Sequence, residues 1–366
     1  MSLEFIGFIG PNEQSESLAP RGPLVDTDYI KTVARAQEYA GFDKVLIAVN
    51  SATPDSFALG AYAAAHTERI GLLVAQRPGF IAPTMAARQL ATLDQLSHGR
   101  ASVNVITGGD GGDLQKDGDF LPHDERYERT DEYLDIVRKV WTEQKPFSHE
   151  GKHYRVENNL TVVKPVQKPH LPIYFSGASE AAVRVAARHA DVYMMWGEPL
   201  AQVKERIAQV RAAAAEHGRE DHIRFSLSVR PILGATEAEA WARAERILAS
   251  AKAQYAGSSF KQLRGTNINV GSDRLVDLAQ RSKVHDQRLW TEIAGLTAAS
   301  GNSTALVGTA EQVAESVLAY YDLGVTTFLF RGFDPLLDVV QYGQELIPRV
   351  RELVAARQDA ARRQAA

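Results

Sequence analysis

The sequence predicts an α/β fold of the (β/α)8 TIM-barrel class, with insertions. Three observations carry this. Short β-rich runs alternate with helical patterns through eight units. Strands separated by helices imply parallel pairing. No composition break divides the 366 residues into domains, and a barrel core takes only about 250 of them. A doubly wound open sheet is the competing architecture. It is disfavoured because the chain lacks a dinucleotide-binding glycine fingerprint.

The units follow in order. FIGFI (5–9) reads as a strand, and Ile30, Val33 and Ala34 mark a helix that stops at Gly41. KVLIAV (44–49) precedes an Ala-rich helix from Asp55 to His66. IGLLVA (70–75) leads to a helix with Pro83 in its first turn, Ala86, Leu90 and Leu93 on one face, and a stop at Gly99. ASVNVI (101–106) is followed by a helix around Tyr133 to Trp141. PIYF (172–175), DVYMMW (191–196), FSLSVRPIL (225–233) and TTFLF (326–330) complete the strands. Thr309 and Gln312 stand at capping-box spacing ahead of the last strand, in a helix that ends at Gly324. The final helix is expected to open at Asp334-Pro335. The surplus length falls at about 108–124, 144–168 and 255–303. The last is rich in Gly, Ser and Asn, which suits an active-site lid on a single domain spanning 1–366.

Composition narrows the function. A net charge of −4 without a basic stripe gives no reason to expect nucleic acid as a partner. The absence of cysteine removes disulfides, thiolate metal sites and a Cys nucleophile. The start MSLEFIGFIG lacks the positive charge of a signal peptide, and no apolar run reaches the roughly 18 residues of a membrane span. A cytoplasmic protein is expected.

VNVITGGDGGD (103–113) looks at first like a phosphate loop. It has no Lys-Ser/Thr after its last glycine, Leu114 breaks the GxGxxG spacing, and Asp110 and Asp113 would repel a phosphate. What remains is a strand end with Asn104 and Thr107 able to meet a ligand, or a plain loop. FSGASE (175–180) is the better anion site, since a strand end, a glycine turn and a helix start at Ser179 present exposed N–H groups. HEGKH (149–153) matches the HExxH zinc pattern, but Pro146 precedes it, Gly151 lies within it and an alternating run follows. A β-hairpin is expected there, and no metal. Arg77, Arg230 and Arg331 stand on strands or strand ends, where each needs an anion from a ligand or from a neighbouring carboxylate. Alternation places Arg230 on one face with Ser226 and Ser228.

Several segments together carry a resemblance. PTMAARQLATLDQLSHGR (83–100), VNVITG (103–108), HDERYERTDEY (123–133), GKHY (151–154), SGAS (176–179), WGEP (196–199) and STALVG (303–308) occur in that order, before a final stretch at 332–348. From about residue 5 to 350 the chain resembles the bacterial luciferase-like flavin monooxygenases, above all the FMNH2-dependent alkanesulfonate monooxygenases. The resemblance implies a (β/α)8 barrel that takes reduced FMN from a separate NAD(P)H:flavin reductase, uses O2, and oxidises a small anionic organosulfur compound. For an alkanesulfonate the products are sulfite and an aldehyde.

Carried over by motif, the flavin phosphate meets Gly177, Ala178 and Ser179 with Tyr127 nearby. Asn104 and Thr107 face the flavin ring, with Asp55 close to it. The substrate half departs from the family. Thr53 replaces a Cys, Ser228 and Arg230 replace an Arg and a His, Ala299 falls near a lid Arg, and Phe333 replaces a Tyr, while Trp196 is retained. The expected catalytic group is Arg230, Trp196, Asn104 and Arg331. The expected substrate contacts are Thr53, Ser228, Arg230, Arg331 and Phe333. A homodimer or homotetramer is expected. A flavin or deazaflavin oxidoreductase acting on another small acid and a non-catalytic flavin-binding protein are the competing readings.

Overall fold

The computed structural model describes residues 3–256, 269–299 and 303–365. The chain opens with β1 (Glu4–Ile9) and α1 (Thr27–Tyr39), which Asp26 caps by accepting from the Asp28 and Tyr29 N–H groups. Then come β2 (Lys44–Ile47), α2 (Ser56–Ala65), β3 (Gly71–Gln76), α3 (Pro83–Leu96) and β4 (Ala101–Val105). Pro83 opens α3 without a side-chain cap, as its missing N–H allows. The helix ends at Leu96, and the turn beyond it carries His98 and Gly99 at positive φ.

The Gly-rich segment after β4 forms a short helix, α4 (Gly111–Lys116), rather than an open loop. Asp110 caps it by accepting from Gly112 and Asp113 N–H. The long α5 (His123–Thr142) follows. The HEGKH segment lies in the antiparallel hairpin β5 (Phe147–Glu150) and β6 (Arg155–Asn159), as expected. Glu132 of α5 holds it, accepting from His149 Nε2 at 3.0 Å and from the His153 and Tyr154 N–H groups. Next are β7 (Ile173–Ser176), α6 (Glu180–His189), β8 (Val192–Trp196), α7 (Leu200–Ala215), β9 (Arg224–Leu233) and α8 (Glu237–Ala256).

Of the expected lid at 255–303, residues 257–268 and 300–302 lie outside the described residues. The described part holds α9 (Val270–Arg281), the hairpin β10 (Val284–His285) and β11 (Leu289–Trp290), and α10 (Glu292–Thr297). β12 (Ala305–Gly308), α11 (Ala310–Asp322) and β13 (Val325–Phe330) follow. The capping box at α11 is present in both directions, Thr309 to Gln312 and back. The last helix begins later than expected, with α12 (Leu337–Gln341). It runs through a π-helical turn, Tyr342–Leu346, into α13 (Ile347–Ala365).

The chain divides into two compact units. One comprises Met1–Lys44, Met195–Ala208 and Arg224–Ala366; the other Val45–Met194 and Gln209–Ile223. In the first, the strand order is β12-β9-β13-β1. The ten-residue β9 is shared, its first half in parallel register with β13 and its second half with β12. In the second, parallel strands run in the order β2-β3-β4-β7-β8. All eight expected strands are present, and β12 is a further parallel strand. No helix among the described residues is long and apolar enough to cross a membrane.

Candidate functional site

Two groups of side chains stand out, one in each unit. The first is built where β4 and β7 end. Asn104, on β4, is 5% exposed, and its amide Oδ1 has no hydrogen-bond partner. An unpaired buried acceptor costs about 1–3 kcal/mol, so this oxygen calls for a hydrogen-bond donor. Thr107 is buried too, but its hydroxyl is engaged with that of Thr130 on α5 at 3.1 Å.

At the end of β7 the chain turns through Gly177 and enters α6 with Ser179 as N-cap, accepting from Ala182 N–H at 3.2 Å. A side chain at 177 would collide. Its Cβ would lie 2.5 Å from that of Ala182 and 3.0 Å from the Tyr127 hydroxyl, at a φ of 155°. The position therefore requires glycine. Burial raises the Tyr127 pKa, and a hydrogen bond with the Ser179 side chain opposes this. The two hydroxyls and the N-terminus of α6 thus converge beside a bare stretch of backbone. Tyr193 supports the turn from below by donating to Gly177 O.

The other expected residues of this half make contacts with their own or neighbouring loops. Asp55 caps α2, accepting from Ala58 N–H at 2.7 Å. Thr53 closes a turn with Asn50, accepting from its N–H at 2.9 Å and donating to its carbonyl at 3.0 Å. Arg77 receives a protein carboxylate, Asp113 of α4, which also accepts from Ser51. Burial works to raise the Asp113 pKa, but Ser51 and Arg77 bring it down. The aspartate of the Gly-rich segment is therefore a clasp on the neighbouring loops. His149 and His153 sit with Glu132 and Glu128, and among the described residues no group of three or more His, Cys, Asp or Glu could hold a metal.

The second group lies in the first unit. Arg230, on β9, is 0% exposed, and every polar atom of its guanidinium is used. Nη1 donates to Glu16 Oε2 at 2.5 Å, Nη2 to Gly332 O at 2.8 Å and Nε to Arg331 O at 3.2 Å. The Phe333 ring lies 3.4 Å from its Cζ. Of the two anions open to Arg230, a ligand's or a neighbouring carboxylate, the structure holds the carboxylate of Glu16. Phe333, expected as a substrate contact, is packed here. It is 2% exposed and belongs to a core cluster with Ile232, Trp290 and Val307.

Arg331 is 25% exposed, 3.7 Å from the other Glu16 oxygen, with its Cζ 4.6 Å from the Phe8 ring centre. Burial works to raise the Glu16 pKa, but Arg230 and Arg331 outweigh it and hold the group at about 2. Ser228 is 6% exposed, and its carbonyl accepts from Gly197 N–H at 2.8 Å. Ser226 Oγ on β9 and Thr304 Oγ1, one residue ahead of β12, are buried without hydrogen-bond partners. Trp196 packs against the cluster of Leu275, Leu278, Ala294 and Ala299, so α9, α10 and Ala299 form its wall. Glu198 fixes α9 there by accepting two bonds from Arg274, at 2.8 and 2.6 Å. Glu16 and Thr304 escaped the sequence reading. The available signal was an acid in the first βα loop of a chain with arginines on two later strands.

Comparison with known proteins identifies the family and the fold. The profile of the family described as luciferase-like monooxygenase matches residues 3–327. Among solved structures, a riboflavin lyase (RcaE) with modified FMN and substrate riboflavin superposes with a TM-score of 0.78 at 20% identity, covering 96% of this chain and 92% of that one. A long-chain alkane monooxygenase (LadA) gives 0.76 at 20% identity, with the same coverage of 96% and 92%. A coenzyme F420-dependent tetrahydromethanopterin reductase from Methanopyrus kandleri gives 0.70 at 17%, covering 96% and 100%. The fold class is the luciferase-like (β/α)8 barrel, as the alternation of strands and helices predicts.

Proposed function

Since the chain belongs to the luciferase-like monooxygenase family, we propose that it is a two-component monooxygenase that takes reduced FMN from a separate NAD(P)H:flavin reductase. Its substrate is a small organosulfur compound, an alkanesulfonate or a relative, cleaved oxidatively at the C–S bond. One atom of O2 enters the aldehyde product, the other leaves as water, and sulfite departs from a sulfonate. Reduced FMN, when bound, supplies the two electrons this balance needs.

The observation that carries the reading is the cradle at Gly177–Ser179. A phosphate is suited by the N-terminus of a helix, by two hydroxyls and by backbone that no Cβ obstructs. Asn104 supports it independently, because its orphaned oxygen needs a hydrogen-bond donor and a flavin ring system carries such donors. The residues present therefore fit a flavin. Tyr127, Ser179 and the 177–179 backbone would hold the phosphate end, and Asn104 would orient the ring. Trp196 is walled by α9 and α10 in the other unit. Arg331, the less buried of the two arginines, is the remaining candidate for a charged substrate group.

A second reading is hydride transfer with a deazaflavin, favoured by the fold likeness to the F420-dependent reductase. Titration with FMN, reduced FMN, riboflavin and reduced F420, followed by O2 uptake and sulfite release across sulfonates and sulfones with a reductase supplied, tests both. The proposal expects FMN to bind more tightly than riboflavin, and O2 uptake to depend on substrate. Equal binding of riboflavin and FMN, or oxidation of reduced F420 without O2 uptake, overturns it.

A further inference from the structure

We propose that Glu16 is a specificity-determining residue: its carboxylate fills the place on Arg230 that an anionic group of a substrate would take. The anion-binding part of this inference stands on geometry alone. The substrate part rests on the monooxygenase reading above.

The sequence puts two arginines on neighbouring strands of one unit, Arg230 on β9 and Arg331 at the end of β13, where a small anion would ordinarily be read by a guanidinium fork. The structure gives both forks the same carboxylate. Arg230 Nη1 meets one oxygen of Glu16 at 2.5 Å, and Arg331 Nη2 lies 3.7 Å from the other. The other two donors of Arg230 go to main-chain carbonyls, which carry no net charge. Among the described residues, Glu16 is therefore the counter-ion of a guanidinium that is 0% exposed.

Glu16 does not arrive there by strand register. It comes from the segment between β1 and α1, 214 residues away in sequence from Arg230. That segment is pinned at the adjacent residue, because Ser15 Oγ donates to Phe333 O at 2.5 Å. The contact fixes the carboxylate over the same strand end that supplies carbonyls 331 and 332 to Arg230. A carboxylate so held does to the arginine what a bound sulfonate or carboxylate would do. It supplies one negative charge and two acceptor oxygens. A second anion at Arg230 would have to displace it or sit beside it, and like charges this close in a buried site repel strongly.

The consequence is a substrate class. The organosulfur compound this protein oxidises brings no anion to Arg230, and a sulfone or similar uncharged compound suits the site better than a sulfonate. Removing Glu16 opens the place to small external anions.

The test is rescue by anions. Wild type, E16A and E16Q are melted at constant ionic strength with sodium chloride, sodium acetate or sodium methanesulfonate. E16A is expected to melt below wild type and to regain stability saturably with acetate or methanesulfonate, while wild type does not respond. If E16A does not fold, E16Q carries the same measurement, since it too leaves Arg230 without a counter-ion. With the reductase supplied, the ratio of kcat/KM for methanesulfonate over dimethyl sulfone should rise by about tenfold or more in E16A. Equal stabilisation of wild type by methanesulfonate, or no anion response in either variant, overturns the proposal. The melting arm needs neither flavin nor O2, so its failure is distinguishable from failure of the monooxygenase reading.

Discussion

Replacing Glu16 by Gln removes a buried charge while keeping the size of the side chain and one acceptor oxygen, and the cost should depend on pH in a defined direction. Burial works to raise the pKa of this carboxyl, but Arg230 and Arg331 hold it at about 2, against an ordinary value of 4.5. A carboxyl whose pKa is depressed by folding contributes stability that is complete above its unfolded value. That stability is lost as pH falls through its folded value. The interval between the two values corresponds to about 3 kcal/mol, at roughly 1.4 kcal/mol for each tenfold change in acidity. Because the side chain is only 10% exposed, solvent screening takes little of it. The expected difference between wild type and E16Q is therefore about 3 kcal/mol at pH 7, shrinking to roughly half of that near pH 3. Urea unfolding of both proteins at matched pH from 7 to 3 measures it, and taking the difference cancels the titration of every other carboxyl. A difference that stays level across that range, or a Gln variant as stable as wild type at pH 7, refutes the ion-pair argument.

Three further outcomes are expected. Gly177→Ala should cost roughly 2–5 kcal/mol in thermal unfolding, from a positive φ and the collision with Ala182 and Tyr127. Ser179→Ala, which loses the α6 cap, should cost about 1 kcal/mol, and both variants should weaken FMN binding in a fluorescence titration, the glycine variant more. Tyr127→Phe should weaken FMN by about tenfold while leaving riboflavin unchanged, since in the proposed binding mode only the phosphate end meets that hydroxyl. His149→Ala should leave metal content unchanged in elemental analysis, because the hairpin keeps the Glu132 bonds to the His153 and Tyr154 N–H groups.

Local chemistry was legible in the sequence wherever both partners lie within one turn of helix or one hairpin. Thr309 and Gln312 form the capping box that their spacing indicates, Ser179 caps α6, and the residues around HEGKH form a hairpin. The glycines and aspartates of 108–113 were less legible. Asp110 spends its side chain capping α4, while Asp113 reaches Ser51 and Arg77, 62 and 36 residues away. The π-helical turn at Tyr342–Leu346 was invisible, because one extra residue in a turn barely disturbs an apolar period over so short a stretch.

The two groups of side chains divide along the same line, and the division explains why the turn at Gly177–Ser179 was easier to read from the sequence than the partner of Arg230. Gly177, Ser179 and the start of α6 act through backbone N–H groups, and turn chemistry fixes those from a few consecutive residues. Arg230 shows the opposite case. Alternation along β9 groups it with Ser226 and Ser228, but alternation says nothing of charge partners. Whether a buried guanidinium awaits a ligand or is already neutralised depends on one carboxylate delivered by a loop from the other end of the sequence. Its energetic weight is of the same order either way, since a buried charge must be paired by something. Sequence pattern therefore identifies the need for an anion at Arg230, and only the packing of residues 15 and 16 against the strand end identifies that anion as Glu16.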